Sequence, residues 1–302
     1  MVDIQKDISP QTLKKVHFII NPVSGMGRRK DIVNAVERYL DLSRFDYEVA
    51  LTEKHGHASE LANHALAEKA DAIVTAGGDG SINEIARSII GTNVALGIIP
   101  AGSGNGLAHH LHIPFRVNKA FEVINNFRIK TIDSININGL PCVSIAGVGF
   151  DALVAKKFVE SKERGFQSYF RISLNEYPHY KPEKYRFWID GKKYKEKSLL
   201  ICFANSNQFG YNAFIAPTAE VDDGLIDICI VKKIPVAKVF FLANLLFLKQ
   251  IEKSRYVRII KGKQITLKGN NSRIVNLDGE MEELGDNLEI AVNPSSLNVI
   301  VP

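Results

Sequence analysis

The chain has 302 residues, 45% of them apolar and 24% charged, with a formal net charge of +5. That length supports two ordinary domains with cores of their own, and the balance carries no signature of disorder. No run of 18 apolar residues occurs, which excludes a membrane-spanning helix, and the mild positive charge permits an anionic partner without naming one.

In chain order, Met1–Lys15 is polar, with neither an apolar core nor a cleavage signal, so export is not expected. The next 115 or so residues alternate strand and helix patterns: strands at Val16–Asn21, Tyr47–Leu51, Ala72–Ala76 and Val94–Pro100, helices at Arg28–Leu42, Ala58–Glu68 and Ile82–Ile90. Such alternation predicts a parallel sheet covered by helices, an α/β domain over residues 1–129. From residue 130 to 302 short strands recur, at Thr131–Asn138, Tyr185–Ile189, Leu199–Ala204, Leu225–Val231, Gln264–Leu267, Ile274–Leu277 and Leu288–Val292. The turn pairs Asn138-Gly139, Asp190-Gly191, Asp223-Gly224 and Asp278-Gly279 flank them, which predicts a mainly antiparallel β domain whose final strand can return to the first domain. Helices interrupt it near Asp151–Ser161 and Val236–Leu248. The three cysteines, Cys142, Cys202 and Cys229, lie far apart in apolar stretches without metal-type spacing, and read as reduced core residues of a cytoplasmic protein.

Three glycine-rich segments follow strands of the first half: Asn21-Pro22-Val23-Ser24-Gly25-Met26-Gly27, Gly77-Gly78-Asp79-Gly80-Ser81 and Pro100-Ala101-Gly102-Ser103-Gly104-Asn105-Gly106. Glycine lets a backbone approach a phosphate, and a helix N-terminus supplies unpaired N–H groups and a favourable dipole. Three such loops at the carboxyl ends of strands mark the ligand end of an open α/β sheet. The spacing fits neither a phosphate loop ending in Lys-Ser/Thr nor a dinucleotide GxGxxG, and no protein-kinase signature is present. The histidines His109, His110 and His112 lack the partners of a zinc site.

Taken in order, NPVSGMG, GGDGSINE, PAGSGNGLA, GVGFDA, EVDDGL and LDGE resemble the diacylglycerol-kinase catalytic family, which includes soluble bacterial lipid kinases and the sphingosine and ceramide kinases. The motifs span residues 21 to 280; GGDG alone is shared with NAD kinases and phosphofructokinases. The resemblance implies an N-terminal α/β nucleotide domain, a C-terminal β-sandwich-like domain and an active site between them, with ATP and Mg²⁺ as cofactors. By motif, nucleotide contacts are expected at Asn21, Pro22, Val23, Ser24, Gly25, Thr52, Gly77, Gly78, Asp79, Gly80, Ser81, Ile82, Asn83, Glu84 and Ser103. A metal is expected at Asp223 with the carbonyls of Glu220 and Leu225. Glu280 of the DGE motif is the expected base, with Asp79 also catalytic. Each acid has an ordinary reading as well, because aspartate before glycine commonly fixes a turn.

Simple bacterial relatives carry a GTxND-type segment where this chain has Gly102-Ser103-Gly104-Asn105-Gly106. The GSGN form resembles sphingosine and ceramide kinases, so the acceptor stays open between diacylglycerol and a sphingoid base or ceramide. An NAD kinase-like enzyme and a non-catalytic nucleotide- or lipid-binding protein are the competing expectations. The partners expected are a lipid substrate and an anionic membrane surface at the inner face, with room for a homodimer and no nucleic acid. The surface expectation rests on Val236–Leu248, apolar except for Lys238 and Asn244, followed by seven basic residues and one acid over Lys249–Lys268. The same helix also reads as a core element.

Overall fold

The computed structural model describes residues 13–24, 29–102, 104–161, 165–268 and 274–302. The first half runs β1 (Lys14–Ile20), α1 (Arg29–Tyr39), β2 (Phe45–Leu51), α2 (His57–Ala67), β3 (Ala72–Gly77), α3 (Asp79–Ile89), β4 (Ala95–Pro100), α4 (Gly106–His110) and α5 (Val117–Asn126). Strands β2, β1, β3 and β4 lie side by side and parallel. Every residue of β3 and β4 is buried, because helices cover both faces, and this is why their sequences read as unbroken apolar runs. On one face α2 packs Ala58, Ala62 and Ala65, and α3 packs Ile82, Ile85, Ala86 and Ile89, a stripe at helical spacing. The other face buries Phe18 and Val74 against Ile32 and Val36 of α1 and Phe121 of α5.

The second half contains β5 (Ile129–Ile137), β6 (Leu140–Cys142), β7 (Ile145–Gly149), α6 (Phe150–Ser161), α7 (Phe166–Glu176), β8 (Glu183–Ile189), β9 (Lys192–Ser198), β10 (Leu200–Ala204) and β11 (Ile226–Val231). It continues with α8 (Val239–Phe247), β12 (Val257–Gly262), β13 (Gln264–Lys268), β14 (Ile274–Leu277), β15 (Glu280–Glu283) and β16 (Asn287–Ile300). Strands β12, β11, β10, β7, β14 and β15 form an antiparallel six-stranded sheet. It faces β5, β6, β8, β13 and the start of β16 across a core of Ile135, Phe187, Phe203, Ile228 and Leu277, a sandwich.

β16 joins the halves. Over its 14 residues it pairs with β13 and β5, bulges between Asn293 and Leu297, and then runs parallel to β4 with Asn298 opposite Ala95. The two domains therefore share one ten-stranded mixed sheet.

Three of the four predicted turn pairs are tight hairpins. Asn138-Gly139, Asp190-Gly191 and Asp278-Gly279 have positive φ at both residues and connect β5 to β6, β8 to β9 and β14 to β15. Sequence patterning passed over β9, whose KKYKEKS is a charged edge strand with no apolar face beyond Tyr194, which stacks on Phe187 at 5.4 Å.

Candidate active site

The carboxyl ends of β1, β3 and β4 bring the glycine segments together. The Asn21 N–H donates to the Ala76 carbonyl at 3.0 Å, Asn21 Oδ1 accepts the Val23 N–H at 3.0 Å, and Nδ2 reaches Ser81 Oγ at 3.4 Å. Pro22 and Ser24 turn beside it and Val23 is exposed. Gly25 and Ser103 lie outside the described residues. The Gly77 carbonyl accepts the N–H groups of Ala101 and Gly102, and a Cβ placed on Gly102 would stand 2.3 Å from Gly78 Cα. Two loops thus lie backbone on backbone, an approach that only glycine permits. α3 opens from them at Gly78 without a side-chain cap, so its first-turn N–H groups remain for a ligand.

Asp79 points inward. Its Oδ2 accepts the Asn105 N–H at 2.7 Å and its Oδ1 the Gly106 N–H at 2.9 Å, so its carboxylate clamps the third glycine segment onto the second. Burial pushes its pKa up to about 6, against the pull of those two bonds. Glu84 braces a different loop. Its two oxygens accept the N–H groups of Gly56 and Ala58 at 2.9 and 3.0 Å, holding the turn after Thr52, which is itself buried with its N–H on the Ile20 carbonyl. Ile82 packs in the core of the first domain, and the buried Asn83 accepts Arg87 Nε–H at 3.1 Å.

Glu280 arrives from the other domain. It is the first residue of β15, and a Cβ at Gly80 would stand 2.8 Å from its Oε1, so the carboxylate lies against the first turn of α3. His55 Nδ1 lies 3.8 Å from the same oxygen and 3.0 Å from Glu84. Burial raises the Glu280 pKa from its ordinary value, with His55 and Arg87 opposing and Glu84 and Glu282 adding to it. An ion pair between Arg87 of α3 and Glu282 of β15, at 3.2 Å, ties the hairpin to the helix.

What aims Glu280 is Asp278. Its buried carboxylate accepts the N–H groups of Val143, Ser144 and Ile145 at 2.8 to 3.0 Å and the Cys142 thiol at 3.2 Å. Sequence reasoning saw only a turn residue here; the partners lie more than 130 positions away. His55 and Arg87 also went unassigned, for want of any local pattern. Asp133 does carry a signal, an acid inside an apolar strand: its Oδ2 takes the Gly224 N–H at 2.7 Å and its Oδ1 the Ser295 N–H at 2.7 Å.

The Asp223 turn is remote in kind from this arrangement. Asp223 Oδ1 accepts the Leu225 N–H at 3.0 Å, and Oδ2 meets Lys261 Nζ at 2.7 Å. Lys261 also lies 3.6 Å from the buried Asp227. Burial works against the Lys261 charge, but the two aspartates outweigh it and raise its pKa. A Mg²⁺ ion held by Asp223 with the carbonyls of Glu220 and Leu225 would have to displace this ammonium. In this arrangement the Lys261 ammonium, rather than a metal, pairs with Asp223.

Loops of this kind on a parallel sheet, joined to a sandwich that contributes a carboxylate, define a two-domain kinase fold. Residues 15–137 match the family model of the diacylglycerol kinase catalytic domain, and residues 144–301 that of the YegS C-terminal NAD kinase beta sandwich-like domain. The chain belongs to the diacylglycerol kinase family. It is 27% identical to a diacylglycerol kinase of Bacillus subtilis (strain 168) over 275 residues, covering 89% of this chain and 90% of the relative. It is 31% identical to a diacylglycerol kinase of Mycobacterium tuberculosis (strain CDC 1551 / Oshkosh) over 223 residues, covering 71% and 72%. The crystal structure of a diacylglycerol kinase from Bacillus anthracis str. Sterne shares the fold, with a TM-score of 0.76, 20% identity, and coverage of 96% of this chain and 98% of that one.

Proposed function

We propose that this protein transfers the terminal phosphoryl group of ATP to a hydroxyl of a lipid, diacylglycerol or a related molecule, with Glu280 as general base. The observation that carries this reading is the meeting of Glu280 with Gly80: a partly buried carboxylate from one domain faces the phosphate-binding helix start of the other. The acceptor oxygen bonds to the γ-phosphorus as the bond from that phosphorus to the β–γ bridging oxygen breaks, ADP leaves, and the hydroxyl proton passes to the Glu280 carboxylate. A pKa raised by burial makes Glu280 a stronger base than an exposed glutamate. Phosphoryl transfer otherwise asks for alignment and charge stabilisation. The N–H groups at the start of α3 and the loop held by Asp79 supply both, and Asn21, Ser81 and Thr52 line the approach. Mg²⁺ accompanying the nucleotide would neutralise phosphate charge.

Gly106, which stands where the GTxND form has an aspartate, supports a second acceptor reading, a sphingoid base or ceramide. Labelled ATP offered with diacylglycerol, sphingosine, ceramide and NAD tests both. Label on a lipid is the expected result and its identity selects the acceptor; label on NAD alone, or on none, would overturn the lipid-kinase reading.

A further inference from the structure

α8 differs from the other helices. It buries none of its nine residues, whereas α2, α3, α5 and α6 each bury several. Val239, Leu242 and Leu246, at helical spacing, rest on the cluster over the outer face of the six-stranded sheet. The opposite face carries Phe240 and Phe241, 71% and 65% exposed, and Val236 and Leu248 at the ends are 57% and 64% exposed. Single exposed apolar residues are ordinary; two adjacent phenylalanines on an uncharged helix with an exposed aliphatic just beyond each end form a patch.

The surroundings of that patch are cationic. Lys238, Lys249, Lys253 and Arg255 are exposed around it, and among the described residues none has an acidic partner within ion-pair distance. By contrast Arg258 and Lys232, a little farther along, are spent on Glu196. Between α8 and the chain that follows lies a groove of about 400 Å³ with Ile234, Phe241 and Leu242 as its apolar part and Lys238, Lys253 and Arg255 as its charged part. Apolar floor and cationic rim are the complement of an anionic amphiphile. The phenylalanines match the acyl boundary of a bilayer and the ammonium and guanidinium groups match its phosphates.

We propose that α8 and its cationic rim dock this protein on an anionic membrane surface. The patch is coupled to the glycine segments. The Leu246 carbonyl accepts the Phe214 N–H at 3.1 Å, and Lys249 sits 4.3 Å over the Phe214 ring. The strap formed by residues 207–214 also packs Gly210 on the Gly104 backbone and the Gln208 carbonyl beside Gly106. Docking through α8 thus holds the lipid surface against the strap that backs the phosphate loops. The lipid-kinase reading gives this surface its purpose, but membrane binding requires no turnover, so either can fail alone.

The test is co-sedimentation of the full chain with vesicles of phosphatidylcholine, with and without phosphatidylglycerol, at low and high salt. The wild type is expected to pellet with the anionic vesicles at low salt and to be released by salt. Phe240→Ser with Phe241→Ser should weaken partitioning about tenfold or more, from the lost apolar burial. Because both side chains are exposed, its melting temperature should match the wild type. Lys238→Glu with Arg255→Glu leaves the apolar face intact and should remove the preference for anionic vesicles, roughly fivefold per charge. Wild-type pelleting by both variants overturns the proposal. So does a wild type that never pellets but forms a dimer in sedimentation velocity that the phenylalanine variant dissolves, since α8 would then be covered by a second copy.

Discussion

At Asp278-Gly279 the carboxylate is sealed inside the protein and holds three backbone N–H groups, whereas at Asp223-Gly224 it lies near the surface beside the Lys261 ammonium. Both are Asp-Gly turns in the β domain. The first sits at a hairpin with left-handed backbone at both residues and is followed directly by Glu280; the second precedes β11 with only Gly224 at positive φ. A buried acid bound by several donors gives a fixed direction to whatever follows it, while a carboxylate facing a flexible ammonium is neutralised without being rigid. The chemistry of this protein is expected beside the rigid turn, and charge compensation beside the soft one.

The contrast breaks most visibly at Glu280. Glu280→Gln keeps size but cannot take a proton, so kcat with the lipid acceptor should fall by roughly 10² to 10⁴-fold while nucleotide affinity and melting temperature stay put. A rate within a few-fold of wild type would mean that the hairpin aims nothing. Asp278→Ala strips the acceptor from three N–H groups at once and should cost about 3 kcal/mol or more in a denaturant titration, with activity falling alongside. Asp278→Asn should be milder, since the amide oxygen can still serve Ser144 and Ile145 and only Val143 loses its acceptor.

Lys261→Met probes the softer turn. Removing the cation from beside Asp223 and the buried Asp227 should cost about 1–3 kcal/mol. Added Mg²⁺ should recover the lost melting temperature in the variant and leave the wild type unmoved. Equal stabilisation of both by Mg²⁺ would show that the ammonium yields readily to a metal. The smallest effect concerns His55. When charged, its ring favours the ionised Glu280, so His55→Ala should move the acid limb of the kcat profile to higher pH, as the base then protonates more easily. A limb that stays in place would leave His55 to its contact with Glu84.

The order of strands and helices in the first half was legible because burial on both faces of β3 and β4, and on one stripe of α3, writes itself directly into apolar spacing. Three hairpins were legible because two successive left-handed residues demand Asn or Asp followed by Gly. The close meeting of two glycine segments at one end of the sheet was legible for the same local reason, since close backbone approach excludes a side chain. Other features had no local signature. The return of β16 to β4, the clamp of Asp79 on residues 105 and 106, the seating of Asp278 under residues 143 to 145, and the pairing of Lys261 with Asp223 each depend on partners distant in sequence. A carboxylate shows its charge in the sequence, but which donors surround it, and therefore whether it builds, binds or reacts, is settled only when tertiary packing decides what shares its space and how much water remains.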